Sequence, residues 1–121
     1  MKDDSDMDNV FQALANGHRR RMLDLIRGNP GLAVGDLARA FDFSRIAVMK
    51  HLAVLEQANL VVSEKQGRSR CLYFNVVPIQ LIHDRWTDEY SALWAGQVSR
   101  IKFLAEASQL NKPSRGENSD E

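Results

Sequence analysis

Basic side chains are concentrated in the middle of the chain, where they could bind a polyanion. A segment with helical periodicity follows Ser44 and carries Arg45 and Lys50 on the face opposite its apolar side chains. Guanidinium and ammonium groups bind phosphate oxygens and guanine edges. Ile46 and Met49 lie on the same face, where they could press on a thymine methyl group. A helix of this kind fits the DNA major groove, and its first turn and a half reaches base edges.

A second group of basic residues follows where the hydrophobic period changes. Residues 60–65 and 70–75 are rich in β-forming side chains and are joined by residues 66–69, which predicts a hairpin. Lys65, Arg68 and Arg70 crowd its tip, where they would meet phosphates or lie along the minor groove. Taken singly each is an ordinary solvated charge, but in this order they favour DNA binding.

Two further residues of the same helix join the predicted DNA-contacting set. Ser44 is a predicted N-cap, and its hydroxyl and the nearby backbone N–H groups could bind a phosphate. His51 is predicted to be partly buried and to bond either locally or to a DNA phosphate. The complete predicted set is Ser44, Arg45, Ile46, Met49, Lys50, His51, Lys65, Arg68 and Arg70.

Helical patterns on both sides must position these residues. The pattern over Val34–Phe41 has unbroken i, i+3, i+4, i+7 spacing and would support the DNA-reading helix. From Pro78 an apolar stripe steps by three or four for some 28 residues, which predicts one helix of about 40 Å over residues 78–107. That helix is too long for so small a domain to cover, so we expect it to pair with a second subunit. A core helix of a monomer is the alternative.

The first helical pattern, which contains Val10, Phe11 and Leu14, is expected to help in pairing the two subunits. The predicted dimer interface comprises Val10, Phe11, Leu14, Ile82, Trp86, Tyr90, Leu93, Trp94, Val98 and Ile101. The predicted fold is therefore mostly α with a β-hairpin, a winged helix-turn-helix that dimerises through its first and last helices.

Composition restricts the remaining possibilities. The 121 residues are 44% hydrophobic and 26% charged, with a net charge of zero that conceals a basic middle: residues 17–75 hold ten basic against five acidic side chains. With one cysteine, Cys71, no intrachain disulfide can form, and no apolar run is long enough to span a bilayer. We expect one cytoplasmic winged-helix domain over residues 8–107, with disordered tails at 1–7 and 108–121.

Four segments resemble the ArsR/SmtB family of bacterial repressors. Residues 16–26 (NGHRRRMLDLI) resemble its DPTRRRILxLL opening, and residues 34–38 (VGDLA) its xVxELA segment. Residues 44–55 (SRIAVMKHLAVL) resemble its SQPAVSKHLxVL recognition helix, and residues 67–73 (GRSRCLY) its wing motif. The resemblance implies a homodimeric repressor that binds a short inverted repeat in double-stranded DNA. Arg45-Ile46 stands where the family has Gln-Pro and Met49 where it has Ser, so the operator sequence does not carry over.

The family's metal-sensing patterns are missing from this sequence. Ala33 and Gly35 occupy the positions of the cysteine pair, and the last helix offers His83, Asp84 and Asp88 without a second histidine. We therefore expect no metal and no cofactor, and the inducing ligand is unknown.

Other functions remain open beside DNA binding. The aromatic last helix could serve a protein–protein interaction module, or Cys71 could make the chain a thiol-based redox regulator.

The run Arg19–Arg21 could reach the DNA backbone or pair with acidic residues such as Asp24. No nucleophile with an adjacent base or phosphate-binding loop is present in the sequence, so an enzyme is not expected.

Overall fold

The computed structural model describes residues 4–87 and 92–110. In this part of the chain the elements are α1 (Asp4–Leu14), α2 (Gly17–Gly28), β1 (Leu32–Ala33), α3 (Val34–Arg39), α4 (Arg45–Gln57), β2 (Val61–Gln66), β3 (Ser69–Phe74), α5 (Val77–Trp86) and α6 (Ala92–Leu110). The chain divides into two compact units, Met1–Trp86 and Thr87–Glu121. The first unit holds α1 to α5 and the sheet, and the second holds α6. None of the described helices is long and apolar enough to cross a membrane.

One apolar core unites the elements of the first unit. Its fully buried large side chains are Met22, Ile26, Leu37, Leu52, Leu55, Leu60, Leu72, Val10 and Val48. They come from α1 to α4, from β3 and from Leu60, which precedes β2, and they match the helical stripes that the sequence predicts for α3 and α4. The predicted fold class, mostly helical with a β-hairpin, is confirmed.

The hairpin of β2 and β3 carries the predicted wing. The strands are antiparallel, and Gln66 pairs with Ser69, so the turn consists of Gly67 and Arg68. Gly67 has a φ of 64°, a left-handed conformation that glycine adopts without strain. The sequence did not predict the third strand: Leu32 of the two-residue β1 pairs with Leu72 of β3. This pairing joins the wing to the start of α3.

The boundaries of three segments differ from the prediction. α1 begins at Asp4 and not after residue 7, and Asp4 and Asp6 lie in its first turn, where carboxylates complement the helix dipole. The predicted single helix over 78–107 is wrong, because α5 ends at Trp86 and Thr87 is not helical. The apolar period continues through this interruption in the sequence, so periodicity gave no sign of it. α6 runs to Leu110, and the rest of the predicted C-terminal tail lies outside the described residues.

Candidate nucleic-acid interface

The packing of α4 leaves one of its faces uncovered. Val48, Leu52 and Leu55 are fully buried in the core, which fixes the orientation of the helix about its axis. Arg45 and Lys50 are exposed on the other side, as the sequence predicted. Beside them Ile46 is 70% exposed.

The N-terminus of α4 is capped by a side chain. Ser44 has an extended backbone, and its Oγ accepts a hydrogen bond from the backbone N–H of Ala47 at 3.1 Å. This bond satisfies one of the N–H groups that the first turn of a helix leaves without a partner. The predicted N-cap is confirmed, and the exposed first turn of α4 is fixed in place by it.

A groove of about 520 Å³ connects α4 with the wing. Arg45 and Met49 line it from α4, Arg68 lines it from the hairpin turn, and Arg39 lines it from the end of α3. Arg70 of β3 and the carboxylate of Asp36 also line it, so four guanidinium groups and one carboxylate border this groove, a balance that favours an anionic occupant. Sequence reasoning missed Arg39, which ion-pairs with Asp36 one turn earlier in α3.

Arg70 makes contacts within the chain that the sequence did not predict. Its Nη2 donates to Glu56 Oε2 of α4 at 2.7 Å and to Ser63 Oγ of β2 at 2.8 Å. The carboxylate of Glu56 therefore balances its charge, and the side chain connects the wing to α4. The predicted DNA contact of Arg70 stays a prediction, and the structure adds a contact that positions the hairpin. Lys65, its partner residue across the two strands, remains exposed.

His51 is bonded within the chain. Its Nδ1 lies 3.2 Å from Nη1 of Arg19, and because a guanidinium only donates, Nδ1 is the acceptor. Burial, followed by the charges of Arg19 and His18, holds the pKa of His51 below its ordinary value. Of the two predicted roles for His51, the structure contains the local bond.

Arginines at the start of α2 connect α1 with α4. Arg19 donates to the carbonyl oxygens of Ala13 and Gln12, both at 2.9 Å, and Arg20 donates to that of Leu14 at 2.7 Å. These bonds satisfy the carbonyls of Ala13 and Leu14 at the end of α1 and add a second donor to that of Gln12, which also accepts from the backbone N–H of Ala15. These contacts with α1 are a role that the sequence did not predict, and a contact of this run with the DNA backbone stays a prediction.

An aromatic cluster packs beside this junction. The ring of Phe43 lies 4.9 Å from that of His18, 5.7 Å from that of His51 and 5.2 Å from that of Phe41, centroid to centroid. The guanidinium of Arg21 lies 5.6 Å from the centroid of Phe41. The turn before α4 is thus held against α2, which fixes the angle at which α4 leaves the core.

Among the residues predicted to form the dimer interface, one belongs to the core of the first unit. Val10 is only 2% exposed within the single chain, so its side chain is already covered, and we correct its assignment. Leu14 and Ile82 are partly buried and also pack against the core. Phe11 is 45% and Trp86 64% exposed.

The second unit holds the other members of that set. Val98 and Ile101 of α6 are 63% and 62% exposed. Leu93 and Trp94 belong to α6, but their side chains lie outside the described part of the structure, as does all of Tyr90.

Metal-ligating side chains do not converge in the described residues. Within 4–87 and 92–110, no group of three or more His, Cys, Asp or Glu side chains could hold a metal ion. His83 and Asp84 contact one another, with Nδ1 and Oδ1 3.3 Å apart. Asp88 lies outside the described residues.

Comparisons with known proteins agree with this geometry. A family model described as a helix-turn-helix domain matches residues 14–64. The chain is similar to the transcriptional repressor SdpR of Bacillus subtilis (strain 168), at 32% identity over 61% of this chain and 81% of the relative. The crystal structure of the ArsR family transcriptional regulator RHA00566 matches with a TM-score of 0.62 at 26% identity, over 95% of this chain and 98% of that one.

A further solved structure has the same fold. It is the winged helix-turn-helix DNA-binding domain Mb0332 from Mycobacterium bovis, described as homodimeric, with a TM-score of 0.57 at 22% identity over 72% of this chain and 86% of that one. The exposed face of α4, the basic groove and the hairpin are thus found in a chain with the fold and the sequence relatives of DNA-binding regulators. The chain belongs to the ArsR/SmtB family of winged helix-turn-helix transcriptional regulators.

Proposed function

We propose that this regulator acts as a homodimeric repressor that occupies a short inverted repeat in a promoter. The observation that carries the proposal is the exposed face of α4, where Arg45, Ile46 and Lys50 are uncovered beside a groove shared with Arg68. Each subunit would place this face in a major groove, with Arg45 as the candidate for a two-bond contact to guanine. Such a protein would work in the cytoplasm, with the chromosome.

The wing supplies the second part of the contact. Lys65 and Arg68 are exposed, and the side chain of Arg68 makes no ion pair or hydrogen bond with any residue that the structure describes. Cations of this kind suit the phosphates that flank the base-reading helix. Arg70 does not contribute a free charge, because Glu56 already pairs with it.

Exposed apolar side chains support the dimer. Val98, Ile101, Phe103 and Leu104 of α6 are each more than half exposed, in a helix whose apolar residues lie on several faces. Large apolar patches on soluble proteins are usually covered by a partner. The homodimeric description of the Mycobacterium bovis neighbour suggests a second copy of the chain as that partner.

Fluorescence anisotropy tests the DNA-binding proposal. The protein is titrated against a labelled duplex from the region upstream of its own gene, with an unrelated duplex as the control. We expect nanomolar binding to the first duplex, weaker binding to the second, and a steep loss of affinity with salt because bound counterions are released. Arg45→Ala with Lys50→Ala should abolish the preference, and Arg27→Ala, an exposed arginine of α2, should leave it intact.

A protein–protein interaction module is the second candidate, favoured by the exposed apolar residues of α6. Binding of a protein partner that survives the Arg45/Lys50 double substitution, together with equal weak binding to both duplexes, would support it.

The thiol-based alternative has less support from the structure. Cys71 is 8% exposed, and its Sγ donates to Gln66 Oε1 at 3.4 Å, so an oxidant has little access to the sulfur.

A further inference from the structure

An apolar depression lies in the middle of the exposed face of α4. It has a volume of about 450 Å³, is widely open to solvent, and is lined by Arg45, Ile46, Met49, Lys50 and Ala53. Ile46, Met49 and Ala53 are spaced i, i+3 and i+7, which places them along one side of the helix. Guanidinium groups border the groove shared with the wing, whereas the surface of this depression is almost wholly apolar.

Two basic residues flank the depression. At about 100° per residue, Met49, Ala53 and Ile46 lie between Arg45 and Lys50 around the helix axis. Because the lining has almost no polar surface, Arg45 and Lys50 contribute their methylene groups to it and keep their charged ends outside. Neither charged end forms an ion pair with a residue that the structure describes. The exposed face of α4 therefore has an apolar centre between two cations that can still bind an anion.

The major groove of DNA matches this arrangement. Phosphates border the groove on both sides, where they can pair with the two cations, and base edges form its floor. Each base edge presents hydrogen-bond donors or acceptors, and of the four bases only thymine adds a methyl group. An apolar side chain against another base edge would cover donors or acceptors without replacing their hydrogen bonds to water, which costs free energy. An apolar centre in this position thus favours thymine.

We infer that the depression receives the C5-methyl group of thymine, so that Ile46, Met49 and Ala53 select one or two A·T base pairs in each half-site. This inference rests on the proposed function and adds a rule for the sequence that is read. The three residues extend about 10 Å along the helix, the length of about three base pairs. Since Arg45 precedes Ile46 directly, we expect the selected thymine within about three base pairs of the guanine that Arg45 contacts.

Selection of bound duplexes from a random synthetic library gives the preferred site without knowledge of the target promoter. 5-Methylcytosine carries the same methyl group at the same ring position, but an unmodified library contains it only as thymine. We expect the bound duplexes to share thymine at one or two positions of each half-site, close to a guanine. A preferred site without thymine in its half-sites would overturn the inference.

Replacement of a selected thymine by uracil then removes the methyl group alone, because the O4 acceptor and the pairing with adenine are retained. In fluorescence anisotropy we expect Kd to rise about fourfold for each methyl group removed, the effect of one buried methylene-sized group. Changing the same position in both half-sites should raise Kd about fifteenfold. Uracil outside the half-sites should leave Kd unchanged and is the control.

Ile46→Ala tests the protein side of the contact. Because Ile46 is 70% exposed, its truncation should leave the core and the Tm unchanged. The variant should bind the thymine site less tightly and should lose the effect of uracil at one position at least, since the contact is already absent. Val76→Ala, at an apolar position that is 52% exposed and does not line the depression, should retain both the native Kd and the full effect of uracil.

The results separate this inference from the proposed function. A preferred site that binds equally well with uracil, or a full effect of uracil at every position in the Ile46→Ala protein, would overturn the inference and leave DNA binding as proposed. An Ile46→Ala protein with native affinity would also overturn it, and Ile46 would then be free for a protein partner. A library that gives no preferred site would contradict the proposed function, and the inference with it.

Discussion

The wing contains two arginines in the same hairpin that we expect to act in different ways. Arg68 is exposed in the turn, whereas Arg70 is bonded to Glu56 and Ser63. Arg68→Gln removes a free charge, and Arg70→Gln removes a paired one. The two substitutions are chemically identical and two residues apart, so each controls for the other.

The pairing of each arginine sets the expected size of its effect. Removing one phosphate-binding cation reduces the slope of log K against log salt by about 0.9, so Arg68→Gln should reduce it by nearly 2 for a dimer. At 0.15 M salt each such cation is worth about fivefold in affinity, and the pair about thirtyfold. Arg70→Gln should change the slope by less than half as much, since Glu56 already balances its charge. It should instead lower the free energy of unfolding by about 1 kcal/mol, for a partly exposed ion pair with an added hydroxyl bond.

The assay is anisotropy of the upstream duplex at four or more salt concentrations, together with urea unfolding of each protein. A reduction of the salt slope by Arg70→Gln that equals the one caused by Arg68→Gln would refute the assignment of Arg70 as a positioning residue. A loss of stability in Arg68→Gln would refute the claim that its side chain is free of intramolecular bonds.

Three further predictions concern stability. The pKa of His51 is held below its ordinary value, so its neutral form is favoured in the folded state. The free energy of unfolding should therefore be highest above about pH 6.5 and fall as the pH drops through the folded-state pKa. In urea titrations, His51→Gln should flatten this dependence. Asn59→Gly should raise the free energy of unfolding by about 0.5–1 kcal/mol, because the φ of 62° suits glycine better; a destabilised variant would contradict this. Leu52→Ala, at a fully buried position, should lower the free energy of unfolding by about 3 kcal/mol. Val62→Ala, at a position that is 53% exposed, should lower it far less. Equal losses of stability in thermal or urea unfolding would contradict the core as described.

Periodicity predicted the elements that bury a single face. The buried stripe of α4 and its serine cap follow from the spacing of Val48, Leu52 and Leu55 and from the type of residue at position 44. The hairpin follows from its β-forming runs and from Gly67. These features depend on local rules, so one sequence suffices to predict them.

Features that depend on long-range contacts were not predictable in this way. The bond of Arg70 to Glu56 joins residues 14 positions apart, and that of Arg19 to His51 joins residues 32 apart. A two-residue strand such as β1 has no period, and it exists only because β3 offers it a partner. The break after Trp86 escaped detection because the apolar spacing continues through it. In each case the side-chain types were visible in the sequence, but their partners were not.

Hydroxyl-radical footprinting of the upstream duplex by the native protein tests the central claim most directly. A dimer that inserts α4 of each subunit into the major groove should protect two half-sites of an inverted repeat, with centres about one helical turn apart. Arg45→Ala with Lys50→Ala should erase both protected regions together. Protection of a single half-site, uniform weak protection along the duplex, or a footprint that survives the double substitution would contradict the account.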